Sequence, residues 1–434
     1  MSGSTFGEFI TLIPAVACAL AFVPLYRRWP PFRPGLPLLI FFALAIRWLF
    51  VIRFANPSGD VGFDTESYRI VAALVRSGKD VYANTDRHPY LPLQMYVMAL
   101  AAWLGDHTEP HFFSWIRWPN ILADIGILVL IYRSSLRLGR GESESFWLAA
   151  VWAVHPVSIY TSTIHAQFDA IPLFFAIGSW HALRFWGGWQ GAAVGGAALG
   201  FAILDKTWPV LFVAPLVVMA STVRTRLLFL ACAAAVPLVF LGMYEAIFDT
   251  TGKLVHDRVI DYGAVPDRYG FVYAFRHYLA DYTRSGWLDF FVDHGRGILM
   301  FSLITVTALV VPRRDALANC VTLVATFLVF ANGWGSQYLL WIVPLAILAR
   351  DRLMIGAYTV VATASLLMYY WGTCGYQCPG RWSSHNEYWE FQWVWPLAMV
   401  WLGRDLFRAI PFGGTGRAFI RGLRGRREPL ESAA

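Results

Sequence analysis

Long apolar runs broken by short polar gaps set the pattern of this chain. Residues 10–26, 38–52, 227–248, 301–311 and 353–371 approach or reach the length an α-helix needs to cross roughly 30 Å of hydrocarbon. Pro and Gly interrupt many of the runs, which predicts that some spans are short or tilted. The run at 10–26 is expected to stay in the mature protein. No basic region precedes it, and Tyr26-Arg27-Arg28 stands where a small-residue cleavage site would be.

Basic residues occupy alternate gaps. Arg27, Arg28 and Arg33 come first, then Arg133, Arg137 and Arg140, Arg224 and Arg226, Arg313 and Arg314, and Arg350 and Arg352. A tail at 411–434 carries Arg417, Arg421, Arg424, Arg426 and Arg427. The excess of Lys and Arg on cytoplasmic loops predicts that these gaps and the tail face the cytoplasm. Residues 54–118, 165–169, the Asp205-Lys206 turn, 249–296, 332–337 and 372–390 then face outward. The pattern closes with about thirteen spans, N-terminus outside, in one all-α bundle over 1–410.

That topology requires residues 91–104 not to cross, and their short length suits an interfacial or re-entrant helix. A second surface helix is expected over 64–76. There Tyr68, Val71, Ala72 and Val75 follow the i, i+3, i+4, i+7 pattern, with Arg69 and Arg76 on another face. No internal repeat of the kind that marks many secondary transporters is visible.

Composition agrees with a membrane protein. Of 434 residues 57% are hydrophobic and 15% charged, with mean hydropathy +0.50, a balance that requires lipid as the missing apolar partner. Net charge is +7, but the arginines sit in gaps between apolar runs, which reads as topology rather than nucleic-acid binding. Cys18, Cys232 and Cys320 lie in apolar runs, whereas Cys374 and Cys378 share a polar loop that could form a disulfide in an oxidising compartment. Zinc is not expected there, because no second pair lies nearby.

Candidate chemistry gathers on the expected outer side. Asp60, Asp64 and Glu66 lie in G-D-V-G-F-D-T-E-S-Y, and a carboxylate is the usual base for a sugar hydroxyl. Asp64 could equally be a helix N-cap. Arg87-His88-Pro89-Tyr90-Leu91-Pro92-Leu93 gives a rigid extended entry to the next helix. His165-Ala166-Gln167-Phe168-Asp169 sits at an expected helix end, and Lys206 could hold a phosphate or join a charge network with Asp205 and Asp169. The loop 249–296 interleaves Lys253, His256, Arg258, Arg268, Arg276 and Arg284 with tyrosines that suit sugar rings. Its aspartates could pair those charges internally. Asp124, inside the run 120–132, must face the protein interior, where Arg47 is the expected partner. No phosphate loop, Rossmann glycine motif, H-E-x-x-H or G-x-S-x-G is present, so a cytosolic nucleotide donor is not expected.

The order of these motifs resembles the GT-C superfamily of polyprenyl-phosphate-sugar-dependent glycosyltransferases over residues 55 to 345. The likeness rests on Asp64 before the 64–76 helix, Gly78 to Tyr82, and His88 to Leu93. It continues through Trp152, Pro156, Ser162 and His165 to Asp169, Lys206 to Pro209, and Gln337-Tyr338-Leu339-Leu340. It is nearest to the group containing glycosylphosphatidylinositol mannosyltransferase I and bacterial mannosyltransferase-like proteins. The chain departs from that group in having D-x-x-x-D rather than D-x-D, which leaves a metal requirement unsupported, and in His88-Pro89-Tyr90, which leaves the sugar open.

The resemblance implies inverting transfer of a hexose, with mannose favoured, from a polyprenyl-phosphate donor to a lipid-linked or cell-envelope glycan. The enzyme would sit in a bacterial plasma membrane with its site outside, with no cofactor and no metal. Asp64, or Asp60, would be the base. Lys206 and Arg258, Arg268 or Arg276 would hold the donor phosphate, and His88, Tyr90, His165, Gln167, Asp169, Gln337 and Tyr338 would be sugar or acceptor contacts. A multi-pass transporter or flippase of a lipid or small solute is the alternative, and it would place carboxylates at mid-membrane.

Overall fold

The computed structural model describes residues 35–54, 63–248, 252–261, 272, 286–373 and 393–409. Among these residues the ordered elements are all helices, as the sequence pattern requires. The run 10–26, Asp60, Arg268, Arg276, Cys374, Cys378 and the tail 411–434 lie outside the described residues.

The main elements are α1 (Leu36–Phe54), α2 (Phe63–Arg76), α3 (Leu93–His107), α4 (Trp118–Arg137), α5 (Glu142–Ala153), α6 (Ala170–Phe185), α7 (Gly188–Asp205), α8 (Val223–Phe248), α9 (Gly286–Val310), α10 (Ala316–Phe330), α11 (Val343–Ala349), α12 (Arg352–Thr373) and α13 (Val394–Ala409). Phe112–Arg137 and Val223–Phe248 are each long and apolar enough to cross a membrane. Helix α8 exposes Val223, Leu227, Leu238, Val239, Met243 and Ile247, and α1 exposes Phe41, Leu49 and Ile52. Apolar faces of this extent mark a surface that meets lipid or another apolar partner, in keeping with association with a membrane. Helix α9 starts at Gly286, inside the stretch 249–296 that was expected to be loop. Its first turns carry Phe290 and Phe291 beside Asp289 and Asp293, so apolar periodicity there hides among charges.

Helices α6, α7 and α8 pack by glycine. On α7, a Cβ at Gly191 would meet the Ala182 carbonyl at 2.9 Å, and one at Gly195 the Ser179 carbonyl at 3.1 Å, both on α6. The next pair faces the other way. Gly196 abuts the Phe229 carbonyl and a Cβ at Gly200 would lie 2.8 Å from the Ala233 carbonyl, both on α8. Two successive small-xxx-small pairs thus let α7 approach both neighbours backbone to backbone.

A buried ion pair joins α1 to α4, as expected from the sequence. Arg47 Nε donates to Asp124 Oδ2 at 3.0 Å, with both side chains fully buried. Ser158 Oγ donates to the same oxygen at 2.8 Å, and Arg47 also donates to the Ala153 carbonyl at 2.8 Å and to Ser158 at 2.8 Å. These hydrogen bonds offset the desolvation of both charges.

The arginine-bearing gaps converge at one end of the bundle. Arg350 pairs with Glu144 at 2.9 Å, Arg140 donates to the Leu348 carbonyl at 2.6 Å, Arg404 pairs with Asp351, and Arg314 pairs with Asp405 at 3.2 Å. Helix α4 runs from Arg117 to this end, so the groups described next lie at the opposite end.

Candidate functional site

Helix α2 lays Tyr68, Val71 and Ala72 against Val81, Tyr82, Leu91, Met95 and Met98, the face its periodicity predicts. It stops in a Schellman turn, with Gly78 at φ +67° and Lys79 N–H bonded to the Leu74 carbonyl at 3.0 Å. Asp80 then accepts from Tyr82 N–H at 2.9 Å and from the Tyr244 hydroxyl at 2.7 Å, locking the loop to α8. Tyr82 in turn donates to the Tyr90 carbonyl at 2.8 Å, which fixes the Tyr90 ring edge-on to Phe168. Asp64 stands in the first turn of α2 itself rather than at its N-cap, where a carboxylate also complements the helix dipole.

The segment before α6 is not an ordinary helix end. After Pro156–Ser158 the backbone widens into a π-helix, Ile159–Ile164, and then turns at Ala166, a buried alanine with φ +60°. A left-handed alanine costs on the order of 1–2 kcal/mol, and such strain clusters at functional sites. The turn is held by His165 N–H to the Tyr160 carbonyl at 2.8 Å and Gln167 N–H to the Thr161 carbonyl at 2.9 Å. Residues on either side of Ala166 then reach one atom. His165 Nε2 lies 3.2 Å and Gln167 Nε2 2.7 Å from Asp64 Oδ2.

His165 Nδ1 meets Ser336 Oγ at 3.5 Å, so the imidazole bridges α2 and the 3-10 turn Ser336–Leu340. With Asp64 ionised, the Nε2–H group donates to the carboxylate. Beside it lies a second group of charges. Lys206 Nζ donates to Asp169 Oδ2 and Trp341 Nε1 to Asp169 Oδ1, each at 2.7 Å. The ammonium lies 4.7 Å from the Phe168 ring centre and 5.2 Å from that of Tyr90. Trp341 stacks between Trp208 and Tyr338, both at 4.1 Å.

Electrostatics separate the two carboxylates. The Asp64 side chain is 39% exposed, and its oxygen Oδ1 has no partner among the described residues. Burial pushes its pKa up, but the His165 hydrogen bond and charge, the Lys206 charge and the Gln167 amide together outweigh burial and hold it below the usual carboxylate value. Asp169 is fully buried with both oxygens engaged.

The structure therefore sorts the residues singled out by sequence. Asp64, His165, Gln167, Asp169, Lys206 and Tyr90 come together, with Gln337 and Tyr338 on the adjoining turn, where Gln337 folds against Gly335. Gln167 and Asp169 are buried and engaged with Asp64, Lys206 and Trp341. His88 is likewise buried, edge-on to Tyr90; burial holds its pKa down to about 4, so it stays neutral and supports the ring.

Arg258 lies in His256–Ile260, a segment whose Val259 packs in the same apolar cluster as Tyr68, Tyr82 and Tyr244, and it has no direct bond to Asp64 among the described residues. Asp205 accepts from buried Gln94 rather than pairing directly with Lys206, though it stands within the field of both Lys206 and Asp169. Exposed His256, Asp257 and Asp261 could together face a cation, but Arg296 already pairs with Asp261 at 3.1 Å. Sequence reasoning missed Ser336, Gln94, Trp341 and Arg117, none of which belongs to a spaced motif. No protein-family model matches the chain, and no curated protein sequence matches it either.

Proposed function

We propose that this protein is a multi-pass membrane glycosyltransferase of the GT-C kind, moving a hexose from a polyprenyl-phosphate donor to a lipid-linked or envelope glycan on the non-cytoplasmic face of a bacterial plasma membrane. The observation that carries this reading is the Asp64 carboxylate. One of its oxygens is fixed by His165 and Gln167, and the side chain is 39% exposed at the end of the bundle opposite the arginines. That is what a base needs: a fixed direction, an ionised state, and access for a hydroxyl.

In this mechanism Asp64 Oδ1 receives the acceptor hydroxyl proton while the oxygen bonds to the anomeric carbon from the face opposite the phosphate. The bond from that carbon to the phosphate oxygen breaks, and the lipid phosphate leaves with the electron pair. A weak carboxylate suffices, because the attacking hydroxyl becomes acidic only as the new bond forms. The negative charge of Asp64 also favours the positive charge that develops on the sugar.

Lys206 is neutralised by Asp169, so it acts by holding the local field and the Tyr90 and Phe168 rings. Arg258, Arg268 and Arg276 are the candidates for the leaving phosphate. His165 positions Asp64, and Tyr90, Gln337 and Tyr338 line the approach to it. No metal is called for, since a carboxylate takes the proton and guanidinium groups take the charge.

The test is transfer of radiolabelled mannose from polyprenyl-phosphate-mannose to lipid acceptors by membranes containing the protein. Labelling that depends on the protein supports the reading. Absence of labelling with every polyprenyl-phosphate sugar offered overturns it in favour of lipid or solute transport.

A further inference from the structure

Arg117 stands where an arginine is electrostatically misplaced. It is the residue that precedes the first turn of α4, with Ile121 N–H bonded to its carbonyl at 3.1 Å, so its charge sits at the positive end of a helix dipole. It is also buried, at 5% exposure. The guanidinium turns away from α4. Its Nε donates to the Thr163 carbonyl at 2.6 Å, Nη2 to the Ile164 carbonyl at 3.0 Å, and Nη1 to the Phe113 carbonyl.

Thr163 and Ile164 are the last residues of the π-helix, directly before His165. Carbonyls at a helix C-terminus lack intrahelical partners and carry the negative end of the dipole. The turn at left-handed Ala166 returns its N–H groups to the Tyr160 and Thr161 carbonyls, which leaves those of Thr163 and Ile164 to other donors. A planar guanidinium with several donors can bind two successive carbonyls and a third from a neighbouring element, which an ammonium on a flexible stem does not match.

Resting on the glycosyltransferase reading, we propose that Arg117 is a positioning residue: it clamps the strained π-turn to the start of α4 and thereby aims His165 and Gln167 at Asp64. Arg117 touches neither Asp64 nor, in the proposed reaction, the substrate. Without it the widened turn relaxes toward an ordinary helix end and the two donors leave the carboxylate.

The experiment follows amide hydrogen exchange by mass spectrometry in the detergent-purified full chain, alongside transfer kinetics, for wild type, Arg117→Met and Arg117→Lys. Arg76→Met, which removes an exposed ion pair to Asp106, serves as control. The expected result for Arg117→Met is exchange faster by about tenfold or more in the peptide covering residues 159–167, with other helices unchanged. kcat should fall while the acceptor KM is kept, and Arg117→Lys should be intermediate in both. Wild-type exchange in that peptide for Arg117→Met overturns the proposal. If Arg117→Met exchanges uniformly faster everywhere, it has not folded, and Arg117→Lys decides: a rise confined to 159–167 supports the clamp, and no rise overturns it. A wild type that transfers no sugar sinks the proposed reaction, while the exchange result still decides the clamp.

Discussion

Gln167 donates its side-chain amide to Asp64 Oδ2 at 2.7 Å, the same oxygen that His165 approaches at 3.2 Å from two positions earlier in the chain. Neighbours at i and i+2 converge on one atom because Ala166 between them is left-handed. The carboxylate is thus held through one of its oxygens.

The first consequence is a pH profile. Burial raises the Asp64 pKa but its donors and neighbouring charges lower it further, so the folded value is depressed. A depressed carboxylate stays ionised in the folded protein until pH falls through its folded value, and its contribution to stability is full above the unfolded value and lost as pH falls from there through the folded one. Transfer measured as kcat/KM should therefore be independent of Asp64 protonation down to about pH 4, the ordinary aspartate range, and fall only below it. His165→Ala removes two of the lowering influences and should move the acid limb upward. An acid limb in the wild type above that of the variant would contradict the assignment.

The Lys206–Asp169 pair gives a stability prediction. Lys206→Met leaves Asp169 buried with only the Trp341 donor and should cost about 3–5 kcal/mol in thermal unfolding, as breaking one side of a buried pair does. Lys206→Met combined with Asp169→Leu should recover part of that loss. A single variant within about 0.5 kcal/mol of wild type would show that the pair is not closed in solution.

Gly196 and Gly242 should respond oppositely. A methyl group at Gly196 collides with the Phe229 carbonyl of α8, whereas one at Gly242 meets nothing within 4 Å. Gly196→Ala should destabilise by about 1–3 kcal/mol through overpacking. Gly242→Ala should be neutral or stabilise by up to about 1 kcal/mol through helix propensity. The melting temperatures of the two purified variants decide this, and equal shifts would contradict the close approach of α7 and α8.

Where a simple period or a charge in an apolar run carries the information, the sequence was legible. The buried face of α2 followed from the spacing of Tyr68, Val71 and Ala72, and Asp124 called for a cation that proved to be Arg47. The 3.6-residue pattern could not reveal the π-turn, because Ile159 to Ile164 contains no glycine or proline to mark a break. Its last carbonyls are met by a group distant in sequence, Arg117. The same limit applies to Asp205. Its local partner in sequence is Lys206, but chain folding brings Gln94 to it and sends Lys206 to Asp169. The one signal available in advance was Arg117, an arginine at the start of an apolar helix where its charge opposes the dipole.

The central claim, that Asp64 is the base of a glycosyl transfer, is tested most directly by Asp64→Asn. The asparagine keeps the shape of the side chain and can still accept from Gln167, but it cannot take a proton. Sugar transfer from polyprenyl-phosphate-mannose should fall by a factor of about 10²–10⁴ at matched protein level, with the melting temperature near that of wild type. Transfer that survives in Asp64→Asn at the wild-type rate would contradict the account and move the base elsewhere, with Asp60 the first candidate.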